Sequence, residues 1–213
     1  MPGIPTKEEM RAALIDRHGE ELQRRFEAAT VAICGLGGLG SNIAISLARA
    51  GVGRLILIDF DRVDISNLHR QQYKASQLGL YKTEALAQNL REIAPYICLE
   101  AHALRITEDN FLPLLSSADI ICEAFDQPES KALLVNGVLE KFPDKCIVAA
   151  SGMAGIGAAN AIQTRRVSRR FYLCGDGCTD VKQAGSLVAT RVMLCAAHQA
   201  HAVLRILAGE YET

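Results

Sequence analysis

A run of charged and amide side chains carries the chemistry of this sequence. Asp59, Asp61, Asn67, Arg70 and Gln71 fall in one polar segment, DFDRVDISNLHRQQ, just beyond the apolar run RLILI. Lys82 follows at the start of a helical stretch, and Asp126 follows a second apolar run, in ADIICEAFDQPESK. In open α/β sheets, ligands bind beyond the carboxyl ends of the strands, so these groups are expected to converge. Cations that meet phosphate oxygens, with a carboxylate for a hard metal, suit a triphosphate carrying magnesium (Mg2+). A dinucleotide oxidoreductase would instead need residues to place a nicotinamide over a substrate. Arg70, Lys82 and Asp126 disfavour that NAD-dependent alternative, and no hydride-transfer set accompanies them.

A glycine turn must supply the rest of the cradle. In VAICGLGGLGSN, an apolar strand runs directly into Gly35, Gly37 and Gly40, which fit G-x-G-x-x-G, with Gly38 as a further position lacking a Cβ. A helical run, IAISLARAG, follows at once. The free N–H groups and positive dipole end of such a helix form an anion site. Asp59 lies about twenty residues on, where a carboxylate commonly holds ribose hydroxyls.

The elements that position these groups alternate between strand and helix. Strands are expected at 30–34, 55–59, 97–103, 119–122 and 146–150, and helices at 39–50, 82–93, 108–115 and 128–141. The apolar spacing of Ala85, Leu86, Leu90 and Ile93 is helical, and Pro95 ends that helix. The first β-α-β unit should be parallel and right-handed. Beyond residue 150 the pattern changes: SGMAGIGAANAIQTRRV and RRFYLCG read as strands with no helix between them. The fold class expected is α/β, a Rossmann-like, mostly parallel sheet with helices on both faces and an antiparallel extension near the C-terminus. Residues 1–213 read as one domain, with 1–29 as a charged N-terminal helical segment breakable at Gly19.

The closing stretch, 187–208, reads as one long helix, apolar on most of its circumference. Arg191, His198 and Arg205 recur every seven residues beside His201 as a narrow polar stripe. Such a helix must be covered on more than one side, and a second subunit is the expected cover.

Composition bounds the alternatives. Of 213 residues, 49% are hydrophobic and 22% charged, with a formal net charge of −1, so no global charge draws this chain to DNA or an acidic membrane. No apolar run suits a membrane span, and the polar N-terminus lacks a signal-peptide core, so a cytoplasmic protein is expected. The seven cysteines are scattered, and a disulfide framework is not expected. Cys34, Cys98, Cys122 and Cys146 in strands and Cys195 in a helix read as small buried hydrophobes.

Taken together, GLGGLGSN, LILIDFDRVDISNLHRQQ, the Lys82 helix and CEAFDQPESK resemble the ThiF/MoeB/HesA family of ubiquitin-activating-type adenylyltransferases. The resemblance runs from about residue 31 to residue 151. The later GDG and AAHQA segments are most similar to short ThiF-type members linked to thiamine biosynthesis. It implies that a small ubiquitin-like sulfur carrier protein (ThiS-like), ending in Gly-Gly, attacks the α-phosphorus of ATP to give acyl-adenylate and pyrophosphate. It implies that Gly35, Gly37, Gly38 and Gly40 approach the nucleotide, with Ser41 at the helix start. Asp59 would hold the ribose; Asn67, Arg70 and Lys82 would stabilise phosphate charge; and Asp126 would bind magnesium. Asp61 is left between nucleotide contact and loop brace, while Gln71 and His69 read more as loop packing. The same chemistry on a molybdopterin carrier, a peptide or a tRNA base is the alternative.

Two departures qualify the resemblance. Relatives hold structural zinc with two C-x-x-C pairs, whereas this chain has a single C-x-x-x-C, Cys174 and Cys178, with His198 and His201 on one helix face. Stoichiometric zinc is not expected, and the two thiols are expected in a loop. At the N-terminus, Arg17 in RHG loosely resembles the family's arginine-bearing motif, with Arg24 and Arg25 as rivals. In such relatives that arginine reaches the partner subunit's ATP, which implies a symmetric homodimer.

Overall fold

The computed structural model describes residues 3–213. One seven-stranded sheet runs through the molecule in the order β3-β2-β1-β4-β5-β7-β6. Its strands are β1 (Thr30–Cys34), β2 (Arg54–Ile58), β3 (Cys98–His102), β4 (Ile120–Glu123), β5 (Cys146–Ala150), β6 (Gln163–Arg166) and β7 (Phe171–Gly175). All neighbouring pairs are parallel except β6 with β7. The chain winds outward from β1 through β2 to β3, then returns to place β4 on the other side of β1. The carboxyl ends of β1 and β4 therefore splay at a topological switch point, where a crevice opens.

The helices are α1 (Lys7–His18), α2 (Glu20–Ala28), α3 (Gly38–Arg49), α4 (Lys82–Ile93), α5 (Phe111–Leu115), α6 (Pro128–Lys141), α7 (Val181–Ala184) and α8 (Ala189–Ala208). The central strands are buried on both faces, as parallel strands are. Alternation splits β1 between two cores: Val31 and Ile33 pack with Ile43, Leu86 and Val203, while Ala32 and Cys34 pack with Phe111, Leu134 and Val138. Helices α3, α4 and α8 thus cover one face, and α5 and α6 the other.

A capping box between Thr6 and Glu9 starts α1, and Gly19, at φ +86°, separates it from α2. Helix α2 buries Phe26 and Gln23. The Phe26 carbonyl accepts from Gly53 N, just before β2 begins, so this segment sits at the amino edge of the sheet.

Several expectations need correction. Helix α5 starts only at Phe111, because Asn110 binds Thr107 N and the Arg105 carbonyl and holds the preceding residues as a turn. The stretch expected as a strand from residue 151 is mostly irregular, with Gly152 and Gly155 at positive φ; only Gln163–Arg166 forms a strand, and Gly155 makes an isolated bridge with Leu187. Strand β7 inserts parallel to β5, so only β6 is antiparallel. Helix α8 is covered within its own chain, by α3, β5, β6, β7 and α2. Its supposed polar stripe is divided: Arg191 is buried in an ion pair and His198 is bonded to Thr164, so apolarity alone does not require a second subunit. Cys98 is exposed rather than buried, and Cys174 lies buried in β7 rather than in a loop. No described helix is long and apolar enough to cross a membrane.

Candidate active site

A cleft of about 930 Å3 opens at the carboxyl edge of the sheet, across the switch point. The loops after β1, β2 and β4 line one half of it, and the loops after β5 and β7 line the other. Gly35, Gly37, Gly38, Asp59, Asp61, Asn67, Arg70, Gln71, Lys82 and Asp126 all face it. Gly40, Ser41 and Arg17 are not among its lining residues.

The glycines divide by role. At φ +93°, Gly35 is in a conformation that strains other residues, and a Cβ there would lie 2.7 Å from the Ala124 carbonyl oxygen. A Cβ on Gly40 would lie 1.8 Å from the Gly35 carbonyl oxygen, so Gly40 closes the turn against the strand and does not face the cleft. Gly37 stands open, with its nearest neighbour, the Gln71 amide nitrogen, 3.7 Å from a built Cβ. Gly38 lines the cleft and also abuts Val192. Ser41 is fully buried; its hydroxyl donates to the Gly37 carbonyl at 2.6 Å and accepts from Gln72 N at 3.1 Å. It therefore braces the turn.

No side chain caps α3, α4 or α6, and residues of all three N-terminal regions line this cleft. Lys82 N, at the start of α4, is bonded to the Asp61 carbonyl at 2.9 Å; the other first-turn N–H groups and the three helix dipoles favour anions. Arg70 and Lys82 add full positive charge. Lys82 is buried and donates to Asp61 at 2.7 Å. Asp61 is thus a brace for Lys82 that remains half exposed to the cleft. Arg70 donates to Asn67 Oδ1 at 2.9 Å.

Asp59 is buried, and its two oxygens accept from Leu36 N at 2.6 Å and Asp61 N at 2.7 Å. This carboxylate stitches the glycine turn to the β2 loop. Burial raises its pKa above the usual carboxylate value, against the opposing pull of Lys82 and the two N–H bonds. Two further groups mark the cleft as built for a polar ligand. The Gln71 carbonyl oxygen is buried without a hydrogen-bond partner, although Gln71 reads from the sequence as loop packing. Asp126 is exposed, and among the described residues no ion pair or hydrogen bond holds its carboxylate. These groups fit a nucleotide with a divalent metal: an orphaned amide, a cradle without Cβ atoms, and an uncommitted carboxylate opposite cations.

Other cleft residues were not legible as such. Lys131 pairs with the buried Glu123 at 3.0 Å. The Arg105 guanidinium stacks 4.1 Å from the centre of the Phe60 ring at the rim. Behind the far wall, and not among the lining residues, Arg191 bonds Asp176 at 2.6 Å and the Gly157 and Ala158 carbonyls at 2.6 and 2.9 Å. Asp176 also accepts from Cys178 N, Thr179 N and the Thr179 hydroxyl. Burial alone would raise its pKa, but these donors and Arg191 hold it well below the carboxylate range. The only sequence signal is an arginine in an apolar helix. His69, from the β2 loop, meets the Leu187 carbonyl at 3.1 Å and ties the two halves together.

The cysteine and histidine set does not gather. Cys174 lies beside Thr164, whose hydroxyl is 2.9 Å from His198 Nδ1, and burial pushes its thiol up to about 11. Cys178 and His201 are exposed. Among the described residues, no group of three or more His, Cys, Asp or Glu could hold a metal ion. A magnesium on nucleotide phosphates needs only one or two carboxylates, so that finding does not bear on Asp126.

Fold and cleft define the class: a doubly wound α/β protein with a crevice lined by Arg70 and Lys82 at its switch point. The model of the ThiF family matches residues 10–213, and the chain belongs to that family. It is 35% identical over 134 residues to a sulfur carrier protein adenylyltransferase of Thermus thermophilus, covering 61% of this chain and 49% of that protein. It is 28% identical over 195 residues to the adenylyltransferase and sulfurtransferase UBA4 of Lodderomyces elongisporus, covering 89% and 42%. The chain thus spans about half the length of the curated relatives it matches. In fold it is similar to Escherichia coli tRNA N6-threonylcarbamoyladenosine dehydratase, TcdA, solved with ATP: the TM-score is 0.85 at 22% identity, over 98% of both chains. Escherichia coli MccB with ATP gives a TM-score of 0.69 at 23% identity, over 90% of this chain and 59% of that one.

Proposed function

We propose that this chain is an ATP-dependent adenylyltransferase acting on the C-terminal Gly-Gly carboxylate of a ubiquitin-like sulfur carrier, ThiS-like in kind. The carboxylate oxygen bonds to the α-phosphorus while the bond to the leaving pyrophosphate breaks. The observation that carries this reading is one cleft holding three uncapped helix N-termini, Arg70, Lys82 and the uncommitted Asp126. Catalysis of phosphorus transfer is mostly positioning and charge stabilisation, which this arrangement supplies. Gly35, Gly37 and Gly38 admit the phosphates close to backbone, and Asp59 and Gln71 address the nucleoside. Arg70, held by Asn67, and Lys82, held by Asp61, neutralise charge as it moves onto pyrophosphate. Asp126 is the ligand for magnesium, which supplies further neutralisation when bound.

The test is ATP–pyrophosphate exchange that depends on a carrier ending in Gly-Gly and on magnesium. Asp126→Ala should abolish it with the fold intact. Robust exchange by that variant, or NADH binding tighter than ATP binding, would sink the assignment.

A second reading keeps the adenylation and changes the acceptor to a tRNA base or a peptide. It is favoured by the fold likeness to TcdA over nearly the whole of both chains, whereas the match to the sulfur carrier protein adenylyltransferase covers 49% of that protein. Exchange stimulated by tRNA and not by a carrier would select it.

The proposed assembly is a homodimer. Arg17 sits on α1 at the amino edge of the sheet, about 16 Å of strand away from the cleft in its own chain. A contribution to ATP would therefore come from the other subunit. Mixing Arg17→Ala with Asp126→Ala chains should restore part of the exchange; chains that mix without rescue would exclude completion in trans.

A further inference from the structure

Asp126 is the cleft residue with the least of its own support. Its carboxylate has no bonded partner among the described residues, so the backbone arch that carries it, Ala124 to Gln127 between β4 and α6, sets its position. Both ends of that arch are pinned by one buried pair. Glu123, the last residue of β4, is 1% exposed. Its Oε1 accepts from Phe125 N at 2.7 Å, inside the arch, and both its oxygens accept from Lys131 Nζ at 3.0 Å. Lys131 lies in the first turn of α6 and also donates to the Ala150 carbonyl, at the end of β5, at 3.1 Å. From α8, Gln199 donates to the Glu123 carbonyl at 2.9 Å and the Val148 carbonyl at 3.2 Å. The arch also presses on the glycine turn, where a Cβ at Gly35 would meet the Ala124 carbonyl.

A carboxylate this deeply buried costs free energy unless it is paired and hydrogen-bonded. Burial raises the Glu123 pKa, and Lys131 opposes that rise. Lys131 Nζ lies within hydrogen-bond distance of both Glu123 oxygens and the Ala150 carbonyl, so although it lines the cleft its charge is directed at Glu123.

We propose that Glu123 and Lys131 are positioning residues whose clamp on the β4–α6 arch holds Asp126 where a divalent cation on the nucleotide requires it. This rests on the proposed function, through Asp126 as a magnesium ligand. Residues behind a metal ligand typically set about 10–100-fold in metal affinity.

The test measures binding of a non-hydrolysable ATP analogue by calorimetry, with and without a magnesium titration. Lys131→Met should raise the magnesium concentration for half-effect by about 10-fold, with magnesium-free analogue binding unchanged. Lys131→Arg, which can still bridge Glu123, should restore most of the magnesium response. In an Asp126→Asn background, Lys131→Met should add nothing to the magnesium response. Glu123→Gln, which keeps shape and removes charge, gives the same direction and decides the matter if Lys131→Met does not fold. An unchanged magnesium response in the Lys131 and Glu123 variants overturns the proposal. So does a full shift that persists without Asp126, or a loss of magnesium-free binding, which would make Lys131 a direct phosphate contact. If Asp126→Asn itself leaves the magnesium response intact, the reading of Asp126 fails first, and that outcome is distinct from failure of the clamp.

Discussion

The two halves of the cleft use charge in opposite ways. Around the glycine turn, Asp126 is unpaired and the Gln71 side-chain carbonyl is orphaned, while Asp59 is held by two N–H groups with its pKa raised by burial. Behind the opposite wall, in the loops after β5 and β7, the main charges are closed into an ion pair, with Arg191 Nε the one nitrogen of that guanidinium left without a partner. Arg191 and Asp176 are each 5% exposed, and between them they bond the backbone of both loops. One half carries electrostatic strain that a ligand can relieve, while the other uses an ion pair to give irregular backbone a fixed shape. The binding surface and the wall that frames it therefore differ in where their charges lie: an unpaired carboxylate and cations line the cleft on one side, and on the other an ion pair is closed behind the lining.

The contrast breaks most sharply at Arg191. Arg191→Met leaves Asp176 buried without its cation and should lower unfolding free energy by about 3–5 kcal/mol, read from urea denaturation. A loss under about 1 kcal/mol would show the far loops to be held by something else.

Arg70→Ala should do the reverse. Exchange activity should fall by about 10²–10³-fold, or about 2.7–4 kcal/mol of transition-state stabilisation. Stability should stay within about 0.5 kcal/mol, since the side chain is only partly buried. Equal losses of stability in the Arg70 and Arg191 variants would erase the distinction between the halves.

The halves should also separate along the pH axis. Asp176 has a folded pKa below its unfolded value, so its stabilisation is complete above the unfolded carboxylate pKa of about 3.9 and is lost as pH falls through the lower folded value. Asp59 has a folded pKa above its unfolded value, so it takes up its proton first, at milder acidity, and that protonation favours the folded state. Binding of an ATP analogue should therefore weaken, by up to about tenfold per pH unit, while circular dichroism still reports a folded chain. Simultaneous loss of binding and fold would contradict the assignment of Asp59 to the nucleoside.

The smallest effect is expected from the cysteines. Protein purified without chelators should carry less than one zinc per chain, and Cys178→Ser should not alter the metal content. One zinc lost on that substitution would show that exposed thiol to be a ligand.

The half around the glycine turn was legible because its determinants are local. The strand, the glycine turn and the following helix are contiguous, and β1, β5 and α6 have the bounds their apolar patterns indicate. Asp59, Arg70, Lys82 and Asp126 sit within reach of strand ends, so parallel winding alone delivers them to one edge. The far half was misread as a strand because its glycines and alanines carry no period, and its shape depends on Arg191 reaching back to Gly157.

The sequence by itself determined the alternation of strands and helices, the glycine turn and the cations beside it, because those depend on spacing along a few consecutive residues. Tertiary structure alone decided that Gly40 and Ser41 close the turn, leaving Gly37 open to a ligand. It also inserted β7 between β5 and β6, covered α8 within its own chain, and joined Glu123 to Lys131 and Arg191 to Asp176. Such outcomes depend on which distant segments the crossovers bring together, and a pairing across the sheet leaves no periodic trace in either segment.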